Sequence, residues 1–197
     1  MAGYMEKEAI DIIITYVNGN DEIWRNKRNR YECSKNGDGS VVRYRDWENL
    51  KYIFRGIERY APWVRKVFLV TDHQTPDWVD PECDKLVLVN HEDYIPEEYL
   101  PTFNTNTIEN NFHRIKDLSE QFIVFNDDCF FLQQVEPQDF FLKGQPQAMF
   151  MEYPVGCRGG NEVFPRLLLN NFIVLGKYFT RSDYKRCLRK KILNTAY

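Results

Sequence analysis

The order of the predicted elements indicates an α/β fold with a mainly parallel sheet flanked by helices. Apolar runs predict three strands at residues 10–17, 66–72 and 85–90, and a fourth run, FIVF, predicts a strand at 122–125. Apolar residues at helical spacing precede the second and the fourth of these strands. Strands that alternate with helices along a chain are typical of parallel sheets.

The composition is that of a single globular domain. The 197 residues are 43% hydrophobic and 15% aromatic, which is enough for one sizeable core. The formal net charge of −3 gives no general attraction to nucleic acid, so we expect no nucleic-acid partner. We expect one domain over residues 1–197, and the sequence leaves its oligomeric state open.

Cysteine usage and hydropathy favour a cytoplasmic protein. The five cysteines are odd in number and scattered, without a CxxC pair or zinc-binding spacing, so we expect free thiols in a reducing compartment. No apolar run reaches the roughly 18 residues of a membrane span, and the N-terminus does not resemble a signal peptide. We expect no membrane-spanning segment, and a location in the cytoplasm or peripheral to the inner face of the membrane.

The first predicted strand, IDIIITYV, ends at Asn18-Gly19. A first strand that leads into a glycine-containing loop is a common position for a bound nucleotide. Asn-Gly is equally ordinary in a tight turn, so the loop by itself leaves both interpretations open.

A helix is predicted from Asp46, as N-cap, to about Tyr60. Its apolar stripe consists of Trp47, Leu50, Phe54 and Ile57. Arg55 lies opposite this stripe, where it serves either a ligand or a surface ion pair with Glu48 or Glu58.

A second helix is predicted within residues 100–121. Its apolar stripe consists of Ile108, Phe112, Ile115 and Leu118, at spacings of four, three and three. At about 100° per residue, His113 falls away from that stripe, on the side of Glu109 and Lys116. We therefore expect His113 outside the core.

The strand at 122–125 ends at Asn126-Asp127-Asp128, the best site candidate in the chain. In open α/β sheets ligands bind outside the carboxyl ends of the strands. Adjacent carboxylates there suit a hard divalent cation that also bridges phosphate oxygens. The alternative is a polar turn, for which Asn-Asp-Asp is ordinary chemistry.

The other predicted strands also end in polar residues, at Asn18, Asp72 and His91. His91 is either a site residue or part of a loop cap formed with Glu92 and Asp93. Farther along, we expect a helical turn at 136–144, a strand at 147–152, a glycine-rich loop at 153–163 and a basic amphipathic helix at 181–197.

Three long segments resemble, in order and spacing, the Stealth family. They are IDIIITYVNGND, RYRDWENLKYIFRGIERYAPWVRKVFLVTD and LPTFNTNTIENNFHRIKDLSEQFIVFNDD, and the resemblance covers roughly residues 11–141. That family includes bacterial capsular polysaccharide phosphotransferases and the lysosomal-enzyme N-acetylglucosamine-1-phosphotransferase α/β subunit.

The resemblance implies a glycosyltransferase-A-like, Rossmann-like fold and a sugar-1-phosphate transferase. The donor would be a UDP-sugar such as UDP-GlcNAc, and the acceptor a hydroxyl of a capsule or cell-surface polysaccharide. The alternatives are a glycosyltransferase with the same donor and an inactive nucleotide-sugar or glycan-binding module. Later family motifs have no clear counterpart before Tyr197, so we expect a C-terminally short catalytic domain.

The resemblance also suggests a role for individual residues. Donor binding falls on Tyr16, Val17, Asn18, Gly19, Asp72 and Asn126. Asp127 and Asp128 are expected to hold Mg²⁺ or Mn²⁺, and Asp128 is also expected to act in catalysis. Arg55 and Arg114 would offset phosphate charge. His113 would take or orient the acceptor proton, with an aspartate as the alternative base.

Overall fold

The computed structural model describes residues 9–31, 44–147, 163–180 and 182–183. The chain divides into two compact units, residues 1–148 and 149–197. The predicted strand at 147–152, the glycine-rich loop at 153–163 and the helix at 181–197 lie wholly or largely outside the described residues.

The first unit contains a four-stranded, fully parallel sheet, which confirms the α/β prediction. Its strands are β1 (Ile10–Thr15), β2 (Val67–Thr71), β3 (Leu86–Asn90) and β4 (Gln121–Phe125). They lie side by side in the order β3-β2-β1-β4. Because all four run the same way, the four predicted polar strand ends lie along one edge of the sheet.

Helices and a small hairpin complete the described elements. The helices of the first unit are α1 (Glu22–Tyr31), α2 (Leu50–Tyr60), α3 (Thr105–Asn110) and α4 (Pro137–Phe140). The hairpin pairs β5 (Phe141–Leu142) with β6 (Gln145–Pro146). The second unit contributes α5 (Val163–Tyr178), which the sequence analysis did not predict. Within the described ranges, no helix is both long and apolar enough to cross a membrane.

The central strands are buried on both faces of the sheet. Ile12 and Ile14 point toward α2, where they pack against Ile53. Ile13 points to the other face and packs in the layer that contains Phe112 and Phe68. Successive side chains of a strand alternate between faces, so the continuous apolar run at residues 12–14 supplies side chains to both layers.

Strand β4 is less buried than its sequence suggested. Val124 is 42% exposed, and among the described strands β4 pairs only with β1. An apolar run thus predicted the strand correctly but overstated its burial.

The predicted N-cap of α2, Asp46, is wrong by three residues, because the N-cap is Asn49. The carboxylate of Asp46 accepts hydrogen bonds from the Tyr16 hydroxyl and the Glu48 backbone N–H, and Glu48 has a φ of 56°. A residue with left-handed backbone dihedrals cannot be part of a right-handed α-helix, so α2 begins after Glu48, at Leu50. Trp47 therefore lies outside the helix and is 63% exposed, under the guanidinium of Arg45 at 3.9 Å.

The single helix predicted around His113 is divided into two shorter pieces. Helix α3 ends at Asn110, and a 3₁₀ turn spans Phe112–Arg114. The Asn111 side chain donates to the Thr107 carbonyl oxygen at 2.8 Å, a local bond that competes with helix continuation. Phe112 and Ile115 remain buried and His113 is exposed, as the spacing predicted.

Asp11 links the amino ends of β1 and β2 to the loop before β4 through hydrogen bonds. Its fully buried carboxylate accepts hydrogen bonds from Arg65 Nε at 2.9 Å, Lys66 N at 3.1 Å and Ser119 N at 2.8 Å. Burial alone would raise the pKa of Asp11, but the bonds from Arg65 and Ser119 outweigh burial and hold the pKa below 3.8. This network joins the starts of β1 and β2 to the loop before β4.

Candidate functional site

A cavity of about 250 Å³ opens at the carboxyl edge of the sheet. It collects side chains that follow all four strands together with residues from α1 and from the segment that leads into α3. The strand-end residues in its wall are Tyr16, Val17, Asp72, Gln74, His91, Asn126, Asp127 and Asp128. The other polar and aromatic residues in its wall include Trp24, Tyr44, Thr102, Phe103 and Thr105.

One end of the cavity is acidic. Tyr16 is buried, and its hydroxyl donates to Asp46 Oδ2 at 2.7 Å. Burial, followed by the negative charges of Asp46 and Asp127, raises the pKa of the Tyr16 hydroxyl. The phenol therefore stays protonated and acts as a donor.

The Asp127 carboxylate is held in an environment that disfavours its charge. Burial and the neighbouring Asp128 raise its pKa, with a smaller contribution from Asp46. A bound cation would relieve this electrostatic strain.

No group of three His, Cys, Asp or Glu side chains in the described part of the chain could hold a metal by itself. Mg²⁺ is nevertheless commonly held by one or two carboxylates, with substrate phosphates and water as the other ligands. Asp127 and Asp128 fit a site in which two carboxylates hold the ion together with substrate phosphates and water.

The side chain of Gln74 holds the loop after β1 in place through hydrogen bonds to Asn18. The Gln74 Oε1 atom accepts from Asn18 N at 3.1 Å, and Nε2 donates to the Asn18 carbonyl oxygen at 2.9 Å. Nε2 also donates to Asp21 Oδ2 at 3.2 Å, while Asp21 Oδ1 caps α1 through Trp24 N. The Gln74 side chain therefore fixes the loop that was predicted to bind the donor.

Gly19 is required for the close approach of two backbone segments. Its N–H donates to the Tyr44 carbonyl oxygen at 2.8 Å. A Cβ atom at residue 19 would lie 2.2 Å from that oxygen. The glycine thus allows Tyr44 to reach the cavity wall.

The other end of the cavity contains Asp72 and His91. Asp72 follows β2 and pairs with Lys27 of α1, with Nζ–Oδ distances of 2.7 and 2.8 Å. His91 follows β3, and burial lowers the pKa of its imidazole below 6.5, although the Asp72 carboxylate opposes this change. His91 is therefore neutral at pH 7.

Three aromatic rings form the wall between α1 and the segment before α3. The ring centroid of Trp24 lies 5.0 Å from that of Tyr44 and 5.7 Å from that of Phe103. The Arg28 guanidinium lies 4.6 Å from the centroid of the Tyr44 ring. Sequence reasoning missed these rings because they come from three distant segments, and only folding brings them together.

The structure brings most of the predicted site residues to this cavity. Tyr16, Val17, Asp72, Asn126, Asp127 and Asp128 line it, and Asn18 and Gly19 shape the loop beside it. Trp24, Lys27, Tyr44, Gln74 and Phe103 were not predicted, and His91 was left open.

Arg55, His113 and Arg114 are exposed and do not line the cavity. Arg55 forms no ion pair with Glu48 or Glu58, and its guanidinium lies 5.8 Å from the Tyr52 ring centroid. His113 lies in a segment that runs from one end of the sheet to the other. The segment begins at Thr105, which lines the cavity, and ends at Ser119, whose backbone N–H bonds Asp11 at the amino end of the sheet. The predicted roles of these three residues remain predictions.

Comparison with known proteins identifies the family. The profile of Stealth protein CR2, conserved region 2, matches residues 43–149. The chain belongs to the Stealth family. The matched residues include Asp127 and Asp128.

Several streptococcal proteins are similar to this Stealth chain. The receptor polysaccharide phosphotransferase WefC of Streptococcus oralis is 44% identical over 182 residues, 88% of this chain and 53% of WefC. The capsular polysaccharide phosphotransferase WcwK of Streptococcus pneumoniae gives the same values. The capsular polysaccharide phosphotransferase eps5J of Streptococcus thermophilus is 37% identical over 194 residues, 95% of this chain and 79% of eps5J. The chain thus spans about half the length of WefC and WcwK.

Proposed function

We propose that this chain contains the donor-binding core of a sugar-1-phosphate transferase that acts in capsule or cell-surface polysaccharide synthesis. The observation that carries the proposal is the cavity at the carboxyl edge of the sheet, with Asp127 and Asp128 in its wall. The names of the similar proteins, all polysaccharide phosphotransferases, support the reaction class. The donor would be a nucleotide sugar such as UDP-GlcNAc.

Asp127 and Asp128 would hold Mg²⁺ or Mn²⁺ against the donor diphosphate. When bound, the ion supplies positive charge that offsets the charge of the diphosphate. The chain's own contribution at this end is a neutral hydroxyl donor, Tyr16, which Asp46 orients at 2.7 Å. Lys27 lies near the cavity but is paired with Asp72, so it supports the wall of the cavity rather than carrying unpaired charge.

In the proposed reaction a polysaccharide hydroxyl attacks the β-phosphorus of the donor. The new O–P bond forms as the bond to the nucleoside monophosphate breaks, and the hydroxyl proton passes to a base. Catalysis of such a transfer is mostly positioning and charge stabilisation. The resemblance assigns the proton to His113 and charge stabilisation to Arg55 and Arg114, all three of which are exposed and lie outside the cavity wall.

The decisive experiment is incubation with UDP-, CDP- and GDP-sugars and a polysaccharide acceptor, followed by analysis of the released nucleotide. Release of a nucleoside monophosphate supports sugar-1-phosphate transfer. Release of a nucleoside diphosphate would instead indicate glycosyl transfer. Binding without turnover, in this chain and in a full-length streptococcal relative alike, would indicate a binding module.

The His113 assignment has its own test. His113→Ala should change the free energy of unfolding by less than about 0.5 kcal/mol, because the side chain is exposed. Turnover should fall about 10²-fold to 10⁴-fold, with donor affinity retained. Normal turnover by a folded His113→Ala protein would remove the assignment.

A further inference from the structure

Helix α5 exposes large apolar side chains along its whole length. The exposed side chains include Phe164, Leu169, Phe172, Ile173, Leu175 and Tyr178. Phe172 and Ile173, in the middle of the helix, are 61% and 63% exposed. An exposed apolar patch of this extent marks a surface that contacts another molecule or a membrane.

The charged and amide side chains of α5 are concentrated in a narrow stripe. At about 100° per residue, Arg166, Asn170 and Lys177 lie within about 40° of one another around the helix axis. Among the charged and amide side chains of α5, only Asn171 lies outside this stripe. A helix with so wide an apolar arc is stabilised when that arc is covered by an apolar environment.

The charge of the chain is divided sharply at the start of α5. Residues 163–197 contain eight Lys or Arg and one acidic residue, Asp183, which gives a formal net charge of +7. Because the whole chain carries −3, residues 1–162 carry −10. Six of the eight basic residues follow α5, between residues 181 and 191. Such an asymmetry between two parts of a chain is typical of binding to a polyanion or to a membrane surface.

The combination of an apolar arc and a basic segment selects among the surfaces that could cover α5. A second copy of the same segment would bring +7 against +7, which is unfavourable. Nucleic acid would meet the positive charge but leave the phenylalanine side chains in water. An anionic phospholipid surface offers both an apolar layer for Phe164 and Phe172 and negative headgroups for the basic side chains.

The length of α5 determines how it can meet a bilayer. Its 16 residues span roughly 24 Å, less than the roughly 30 Å of a hydrocarbon core. Lys177 also lies near its carboxyl end, where a long side chain can reach the headgroups while its methylene groups stay in the apolar layer. These features suit a helix that lies in the plane of the interface and does not cross it.

We propose that α5 is a membrane-docking helix, which inserts its apolar arc into the interface of an anionic phospholipid bilayer. The basic residues that follow α5 in the sequence supply the electrostatic attraction. Apolar burial and a basic segment together give firmer anchoring than either does alone. The inference does not depend on the proposed function, because it involves none of the residues that line the cavity.

Cosedimentation of the full chain with phospholipid vesicles tests the inference without any nucleotide sugar. The two vesicle preparations are phosphatidylcholine alone and an equal mixture of phosphatidylglycerol and phosphatidylcholine. We expect the full chain to bind the mixed vesicles at least about tenfold more tightly than the neutral ones, because only the mixed vesicles attract the basic segment. Raising the salt concentration from about 0.1 M to about 0.5 M should weaken that binding.

Phe172→Gln tests the apolar arc. It should lower partition into the mixed vesicles about tenfold, because the side chain no longer transfers into an apolar layer. Glutamine is a good helix former, so α5 should persist. Leu132→Gln is the matched control, because Leu132 is 85% exposed in the first unit, and it should bind as the wild type does. Circular dichroism checks folding, and Leu175→Gln replaces Phe172→Gln if that protein does not fold.

Lys177→Gln tests the electrostatic contribution. It should lower binding to the mixed vesicles about fivefold and leave binding to neutral vesicles unchanged. Lys116→Gln, at an exposed position of the first unit, is the matched control and should have no effect on either.

Four results would overturn the inference and leave the proposed function in place. The first is a folded wild-type protein that binds neither kind of vesicle. The second is equal binding of Phe172→Gln and the wild type, which would place the contact elsewhere. The third is equal binding to both kinds of vesicle, which would exclude an anionic surface. The fourth is self-association of the wild type in sedimentation velocity that Phe172→Gln abolishes, without vesicle binding, which would show that a second copy covers α5.

Discussion

At the residue scale, the polar groups of the cavity divide by the partners they already have. Gln74, Asp72 and Tyr16 form hydrogen bonds with other protein side chains or backbone and hold the wall in shape. Asp127 instead sits beside Asp128 and has no ion pair with a basic residue in the described ranges. An environment that disfavours the native charge is a recurrent mark of a functional carboxylate.

Asp127→Asn should separate function from stability. Burial and Asp128 raise the pKa of Asp127 in the folded protein above that of the unfolded chain. The folded state then binds the proton more tightly, so this carboxylate makes the protein less stable as the pH rises from 3.8 through the raised pKa.

At pH 7 without metal, the Asp127→Asn protein should therefore melt at or above the wild-type temperature. It should also lose the stabilisation that Mg²⁺ and uridine diphosphate together give the wild type. Asp77→Asn, at an exposed position away from the cavity, is the control in both thermal-shift assays. A clear drop in the metal-free melting temperature would show that Asp127 is structural.

Gly19→Ala should damage the wall of the cavity. The new Cβ would lie 2.2 Å from the Tyr44 carbonyl oxygen and 2.6 Å from the Tyr44 Cβ, so the backbone must move. We expect a loss of about 1–3 kcal/mol in the free energy of unfolding by urea, as for other overpacking substitutions. Gly176→Ala in α5 meets nothing within 4 Å and should be neutral or stabilising. Equal stability of the two variants would contradict the close approach at Gly19.

At the scale of elements, the sequence predicted what periodicity controls and missed what single side chains decide. The four strands were predicted because apolar runs identify buried strands. The break of α3 at Asn111 depends on one amide that bonds Thr107, and the late start of α2 depends on Asp46 bonding Tyr16. Apolar spacing is insensitive to both bonds, since Phe112 and Ile115 are buried with or without a continuous helix.

Arg65→Met tests how much the hydrogen bonds of Asp11, which join β1, β2 and the loop before β4, stabilise the fold. Arg65 pairs with the fully buried Asp11 carboxylate, and removal of one partner of a buried pair costs about 3–5 kcal/mol. Because Arg65 itself is 38% exposed, we expect a loss near the lower end, about 3 kcal/mol at pH 7.

The loss in free energy of unfolding caused by Arg65→Met should be smaller at low pH. The lowered pKa of Asp11 means that its stabilisation is present above 3.8 and is lost as the pH falls through the folded-state pKa. The variant has already lost most of that contribution. Urea unfolding at pH 7 and pH 3 checks this, with the exposed Lys116→Met as control. A constant deficit at both pH values would mean that Arg65 acts through packing alone.

At the scale of the whole molecule, the parallel sheet explains both the successes and the gaps of site prediction. Residues that follow strands, such as Asp72 and Asp127, could be placed together from the sequence because parallel strands end at one edge. Trp24, Tyr44 and Phe103 follow no strand. Their meeting depends on how α1 and two loops pack over that edge, which a single sequence does not specify.

The cavity lies entirely within the first of the two compact units. Every residue that lines the cavity lies between 15 and 128, within the unit 1–148. A protein that ends at Ala148 should therefore bind uridine monophosphate within about twofold of the full chain, since the same contacts are present. Calorimetry measures the affinity, and circular dichroism checks that the shortened protein is folded. A folded 1–148 protein with much weaker binding would mean that residues 149–197 contribute to the donor site.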